Sequence, residues 1–215
     1  MTDYTLILGN KTYSSWSLRG WLLAKQAGIS FGEVVIPLRQ PDTRAQILHH
    51  SPAGRVPTLV ADGEAVWDSL AIAEYLAETY PAQGLWPSDP AARRLARCVA
   101  AEMHAGFQAL RRALPMDLSK HHPGHKIAPE VQADIDRIQA IWRDCRGRFG
   151  KAGEFLFGAF SAADAFYAPV VTRFRTYGVA LDSISDAYCV AVTYHPWMKE
   201  WTAAAAEESW IIEFD

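Results

Sequence analysis

Residues Pro81 to Pro90 divide this chain into two kinds of pattern. The segment Pro81-Ala-Gln-Gly-Leu-Trp-Pro-Ser-Asp-Pro90 holds three prolines and a glycine, which the interior of neither a helix nor a strand accepts. Before it, strand and helix signals alternate. After it, the apolar spacing is helical almost throughout. Two such regimes in one chain predict two domains: an α/β domain over 1–80, a linker over 81–90 and an all-helical domain over 91–215.

In the first domain, Tyr4 to Leu8 reads as a strand closed by Gly9-Asn10, and Ser15 to Ala27 as a helix ending at Gly28. Phe31 to Ile36 is a second strand, stopped by Pro37, and 42–50 allows a short helix. Thr58 to Ala61 and Ala65 to Trp67 flank Asp62-Gly63, a strong tight-turn pair. Residues 68–79 form an amphipathic helix capped by Asp68 or Ser69. The order βαβαββα predicts a small mixed sheet with helices on its faces. Past the linker, Leu95, Val99, Met103, Phe107, Leu110 and Leu114 make one apolar stripe, which predicts a single long helix over 91–114. Further helices are expected at 129–149, 161–177 and 195–206.

Composition narrows the class of function. Half the residues are hydrophobic and 21% charged, enough for a buried core in a chain of 215 residues without staples. Lys plus Arg total 21 against 24 for Asp plus Glu, a formal charge of −3, so no nucleic-acid partner is expected. The longest apolar run, 155–163, is far short of the ~18–20 residues a membrane span needs, and no signal peptide is read at the start. Cys98, Cys145 and Cys189 are few, odd in number and widely spaced. That usage predicts a reduced, cytoplasmic protein.

Three segments carry chemistry. Ser14-Ser15-Trp16-Ser17-Leu18-Arg19 lies where the first strand turns into the first helix, so free N–H groups and the helix dipole face any anion placed there. Serines there also simply cap a helix. Gly54-Arg55-Val56-Pro57-Thr58-Leu59 places a proline just before a strand. A cis Val56-Pro57 bond would leave the Val56 backbone free to pair with an extended peptide; a trans proline opening a strand is the plainer alternative. Asp68-Ser69 caps the next helix, and the same pair suits a ligand with an ammonium and a carboxylate.

Taken in order and spacing, these segments resemble the glutathione transferases, nearest to the serine-type zeta class that includes maleylacetoacetate isomerase. Ser14 to Arg19 aligns without gaps to the zeta motif Ser-Ser-Cys-x-Trp-Arg. Arg55-Val56-Pro57-Thr58-Leu59 matches its Gln-Val-Pro-Thr-Leu, and Asp68, Ser69, Ala71, Ile72, Tyr75 and Leu76 match its third motif. The likeness covers nearly the whole chain. It implies a thioredoxin-like N-terminal domain, an all-helical C-terminal domain, glutathione as co-substrate, no metal and a homodimer.

On that resemblance Ser14, with Ser15 as the alternative, donates a hydrogen bond to the glutathione sulfur. Val56, beside Pro57, pairs with the cysteinyl backbone. Asp68 and Ser69 take the γ-glutamyl ammonium and carboxylate, and Arg55 reaches the glycyl carboxylate. The second substrate is expected between the halves, near Met103, Phe107, Arg111 and Arg112, although those side chains equally suit core or solvent. The sequence departs from the zeta pattern at Trp16, where a Cys is usual, and at Thr176, where the isomerase has an arginine; Arg173 and Arg175 stand nearby. The implied activity is thiolate transfer to a small electrophile, with a cis–trans isomerase or a non-catalytic glutathione-binding protein as alternatives. Ser161-Ala-Ala-Asp164 reads as a capping box, a matter of stability. His121, His122 and His125 cluster in a loop, without a carboxylate or thiol to complete a metal site.

Overall fold

A computed structural model describes residues 3–214. The chain divides into two compact units: a sheet unit, made of the residues up to Leu85 together with those from Trp201 onward, and a helical unit over Trp86–Glu200. The sequence pattern groups 91–215 together; the structure places the stretch from Trp201 in the sheet unit instead.

The sheet unit holds β1 (Tyr4–Gly9), α1 (Ser15–Gln26), β2 (Gly32–Ile36), α2 (Thr43–His50), β3 (Thr58–Ala61), β4 (Glu64–Val66) and α3 (Ser69–Thr79). The strand order is β2-β1-β3-β4. β2 runs parallel to β1, with Ile7 opposite Val34, and β3 runs antiparallel to it, with Leu6 opposite Leu59. The parallel pair requires the crossover that α1 supplies. β1 is central, and Leu6, Ile7 and Leu8 are wholly buried. This is the thioredoxin-like βαβαββα order.

α1 buries Leu18, Trp21, Leu22 and Leu23. Gly20 in the middle of α1 is a close-approach residue: a Cβ there would lie 2.7 Å from the Pro57 ring. Its bare backbone lets α1 come against the loop that opens β3, and so brings two of the sequence motifs together.

The helical unit holds α4 (Pro90–Ala105), α5 (Gln108–Ala113), α6 (Pro129–Phe149), α7 (Ala162–Tyr177) and α8 (Ser183–Tyr194), and α9 (Pro196–Ala206) contains the division between the units. α7 is buried along nearly its whole length. Trp142 of α6 packs against the rings of Tyr167, Phe174 and Tyr188, with centroids 4.8–5.8 Å away. Such side chains contribute about 1.5–3 kcal/mol each on burial.

The single helix expected over 91–114 is two. The chain breaks at Gly106-Phe107, where Phe107 takes a left-handed φ of 59°. A Cβ on Gly106 would meet the Glu102 carbonyl oxygen at 2.7 Å. The apolar spacing persists across the break because α5 resumes facing the same core. α8 lies outside the expected helices, although Asp182 caps it by accepting from the Ser185 N–H at 2.8 Å.

Candidate functional site

The serine turn is built at the exit of β1. Ser14 is the N-cap of α1, and its Oγ accepts from the Ser17 N–H at 3.2 Å. Its hydroxyl donates to Ser17 Oγ at 2.8 Å, and Ser17 Oγ also accepts the Gly9 N–H at 2.8 Å. Ser14 and Ser15 are 5% and 6% exposed. The capping role and a donor role toward a ligand are therefore compatible at Ser14: turning its proton from Ser17 to a ligand leaves the accepted bond intact. The Arg19 guanidinium, fully buried, lies 4.6 Å from the centre of the Trp16 ring.

Beside this turn the sheet unit holds a cavity of about 1060 Å³. Arg55, Val56, Pro57, Asp68 and Ser69 all line it, as does Trp16. Ser14 and Ser15 are not among the lining residues; Trp16 carries the start of α1 to the wall. The Val56-Pro57 bond is cis. The Val56 side chain packs against the Ile7, Ile36 and Ile47 cluster. Its backbone N–H and C=O make no backbone hydrogen bond among the described residues.

The other side of the cavity is the start of α3. The Asp68 carboxylate caps that helix by accepting the Leu70 N–H at 2.9 Å. Ser69 is its first residue and is wholly buried, and its hydroxyl has no hydrogen-bond partner. A helix N-terminus with an unused hydroxyl suits a carboxylate, and the Asp68 carboxylate beside it suits an ammonium. The cavity thus has Val56, whose backbone makes no backbone hydrogen bond among the described residues, on one side and the Asp68 carboxylate with the Ser69 hydroxyl on the other.

In the helical unit, Met103 is fully buried and Phe107 nearly so. The Arg111 guanidinium donates to the carbonyls of Gly106 at 2.9 Å, His104 at 3.3 Å and Met103. It closes the C-terminal end of α4, and burial lowers its pKa. Arg112 is exposed. Arg173 is buried, donates to the carbonyls of Leu114 and Pro169 at 2.8 and 3.0 Å, and has its pKa pushed down to about 9 by burial and by Arg111. Arg175 pairs with Asp186 at 2.9 Å, and the Thr176 hydroxyl donates to the Asp117 carbonyl at 3.1 Å. The rings of His122 and His125 pack on Tyr177. Among the described residues no group of His, Cys, Asp and Glu could hold a metal ion, and no helix is long and apolar enough to cross a membrane. Cys145 and Cys189 are buried, which pushes both thiols up to about 12.

Comparison with known proteins shows the family and the fold. Family models for the N-terminal and C-terminal domains of glutathione S-transferase match residues 13–79 and 128–206. The chain belongs to the glutathione S-transferase family and has its fold. Among its relatives, maleylacetoacetate isomerase of Mus musculus is 37% identical over 173 residues, 78% of this chain and 76% of that protein. A probable maleylacetoacetate isomerase of Caenorhabditis elegans is 35% identical over 96 residues, 45% of this chain and 44% of its own length. A glutathione transferase homolog from Burkholderia gl BGR1, solved with bound glutathione, superposes with a TM-score of 0.74 at 22% identity, covering 96% of this chain and all of that one.

Two features go unassigned at the level of sequence. Ser17 holds the Ser14 hydroxyl, and the Ser-x-x-Ser spacing from the cap to the third helical residue is a signal for it. Glu208, far away in sequence, bonds to the turn just ahead of Ser14; nothing local announces that.

Proposed function

We propose that this protein binds glutathione in the cavity of the sheet unit and activates its thiol through Ser14 for attack on a small electrophile. The buried, unpartnered Ser69 hydroxyl in the cavity wall carries this reading. An unsatisfied buried hydroxyl costs about 1–3 kcal/mol, a cost that a ligand carboxylate removes. The γ-glutamyl end of glutathione supplies that carboxylate to Ser69 and its ammonium to Asp68. The cysteinyl backbone pairs with Val56, and Arg55 takes the glycyl carboxylate.

A free thiol titrates near ~8.5, so only a few per cent is thiolate at neutral pH. Lowering that value by two needs ~2.7 kcal/mol of preferential stabilisation. A hydrogen bond to a charged acceptor supplies ~1.5–3 kcal/mol and the N-terminus of a helix such as α1 adds ~0.3–1. The Ser14 hydroxyl turns its proton from Ser17 to the sulfur and acts as a donor, never as a base. The exposed Cys98 and buried Cys145 and Cys189 take no part. The protein acts in the cytoplasm as a homodimer, a reading supported by family likeness and free cysteines.

The isomerases among the relatives favour a second reading for the same thiolate. The sulfur adds to the maleyl double bond, the resulting single bond rotates, and the thiolate leaves to give the trans product, with glutathione regenerated. The test is an ultraviolet titration of bound glutathione against pH, in wild type and Ser14→Ala. A thiolate band at neutral pH that is lost in Ser14→Ala is expected; a band that survives moves the donor to Ser15, and binding without any band in wild type overturns the transferase reading. Turnover of maleyl diacids without a conjugate then separates isomerisation from transfer.

A further inference from the structure

The turn that delivers Ser14 is held from the far end of the chain. The Glu208 carboxylate, just beyond α9, accepts the Lys11 N–H on one oxygen at 2.6 Å. Its other oxygen accepts the Thr12 N–H at 3.0 Å and the Thr12 hydroxyl at 2.9 Å. The Thr12 hydroxyl also lies 3.1 Å from the Ala205 carbonyl, and Trp201 Nε1 donates to the Lys11 carbonyl at 3.0 Å. Tyr13 meets the Phe214 ring edge-on at 5.8 Å, and Arg39 donates to the Glu213 carbonyl at 2.8 Å. Every residue from Lys11 to Tyr13 is thus gripped by the stretch from Trp201 onward, which belongs to the same unit. On the other side the turn closes on itself through the Ser14 N–H to the Asn10 carbonyl, at 2.8 Å.

We infer that Glu208 is a positioning residue for thiol activation: it fixes the turn over residues 10–13 and thereby the direction in which Ser14 presents its hydroxyl. The inference rests on the function proposed for Ser14. Glu208 neither lines the cavity nor bonds to Ser14. Its effect passes through the backbone of Lys11 and Thr12, which lead directly into Ser14 at the start of α1. A carboxylate bonded to both on the same side chain removes two hinges at once. Its sign is opposite to that of a direct electrostatic role. A negative charge near the sulfur disfavours thiolate, so neutralising Glu208 would raise the thiolate fraction if charge were all that mattered.

The test is glutathione bound to wild type, Glu208→Gln and Thr12→Val, with two readouts. Amide hydrogen exchange at Lys11 and Thr12 reports the grip itself. The pH titration of the bound thiolate band reports its consequence. In Glu208→Gln, exchange at both amides is expected to speed up about tenfold or more. The thiolate fraction at neutral pH is expected to fall about tenfold, with glutathione affinity little changed. Thr12→Val, which removes only the hydroxyl share and no charge, shifts both in the same direction by less. A thiolate fraction that holds or rises in Glu208→Gln while exchange speeds up overturns the inference, because the grip then serves only the fold. Unchanged exchange overturns it at the first step. Absence of the band in wild type is the separate failure of the Ser14 reading, visible before any variant is made, and the positioning role falls with it.

Discussion

In the sheet unit the Ser69 hydroxyl lies buried in a cavity wall with no partner, whereas in the helical unit the equally buried Asp164 carboxylate is filled by the chain itself. Asp164 accepts the Ser161 N–H at 2.8 Å, the Ser161 hydroxyl at 2.9 Å and the Leu156 N–H at 3.1 Å. Both sit within the first turn of a helix, so local structure does not separate them. What separates them is whether the fold has used the polar group. Asp164 is used by its own helix, whereas the Ser69 hydroxyl is unused and also lines a cavity. Ser14 stands between these cases, its hydroxyl bonded to the neighbouring Ser17 hydroxyl, whereas the Arg111 guanidinium is spent on three backbone carbonyls of its own unit.

The largest effect expected from this contrast is in Asp164→Ala. Three buried donors lose their acceptor at about 1–3 kcal/mol each, so stability falls by about 3–9 kcal/mol in denaturant titration. Glutathione affinity of the folded protein stays the same. The capping box read from Ser161 and Asp164 is present, and it is this contact. Burial pushes the Asp164 carboxyl up to about 6, opposed by those hydrogen bonds. The native state therefore holds its proton more tightly than the unfolded chain, whose carboxyl titrates near ~3.9. Stability contributed by this group is present at low pH and lost as pH rises from about 4 to about 6. The difference between wild type and Asp164→Ala should follow that slope; an opposite slope would mean that the three hydrogen bonds outweigh desolvation.

Ser14→Ala is the reverse case. Removing a donor aimed at a developing anion costs about 10²-fold in kcat/KM, by analogy with oxyanion-hole donors. Loss of the cap costs about 1 kcal/mol of stability. Rate and stability thus move by unequal amounts, and steady-state kinetics beside thermal unfolding reads both. Ser15→Ala should leave both nearly unchanged.

Arg111→Ala sharpens the contrast inside the helical unit. It strips a donor from the carbonyls that end α4, so a stability loss of about 1–3 kcal/mol is expected. If Arg111 instead served the electrophile, the loss would appear in the KM of the second substrate with unfolding unchanged.

The sheet unit is legible in the sequence because its punctuation is local. Pro37, Asp62-Gly63 and the caps at Ser14 and Asp68 each mark a boundary within a few residues, and the structure places them there. The break at Gly106-Phe107 is hidden because the apolar spacing of Leu95 to Leu114 runs on across it. The stretch from Trp201 reads as part of the helical half because nothing local distinguishes α9 from its neighbours; its partners in the sheet unit, residues 11–13, Trp21 and Arg39, do. For the same reason Asp68-Ser69 can be read as a cap and a candidate grip, but the empty hydroxyl of Ser69 cannot. Hydrogen-bond satisfaction depends on what packs nearby, and a single sequence does not carry that.

Ser69→Ala gives the smallest change and the cleanest division between the two kinds of buried group. A satisfied hydroxyl of this burial would cost about 1 kcal/mol or more on removal. Ser69 has no partner in the protein, so its removal is expected to leave stability unchanged or slightly raised. Glutathione affinity should fall about tenfold, roughly 1.4 kcal/mol, by calorimetry. The α3 backbone N–H groups and Asp68 remain, which is why the loss is no larger. A glutathione analogue lacking the γ-glutamyl carboxylate should bind wild type and Ser69→Ala equally. Equal loss for both ligands would place the hydroxyl elsewhere in the site, and a drop in stability would mean that the fold uses it after all.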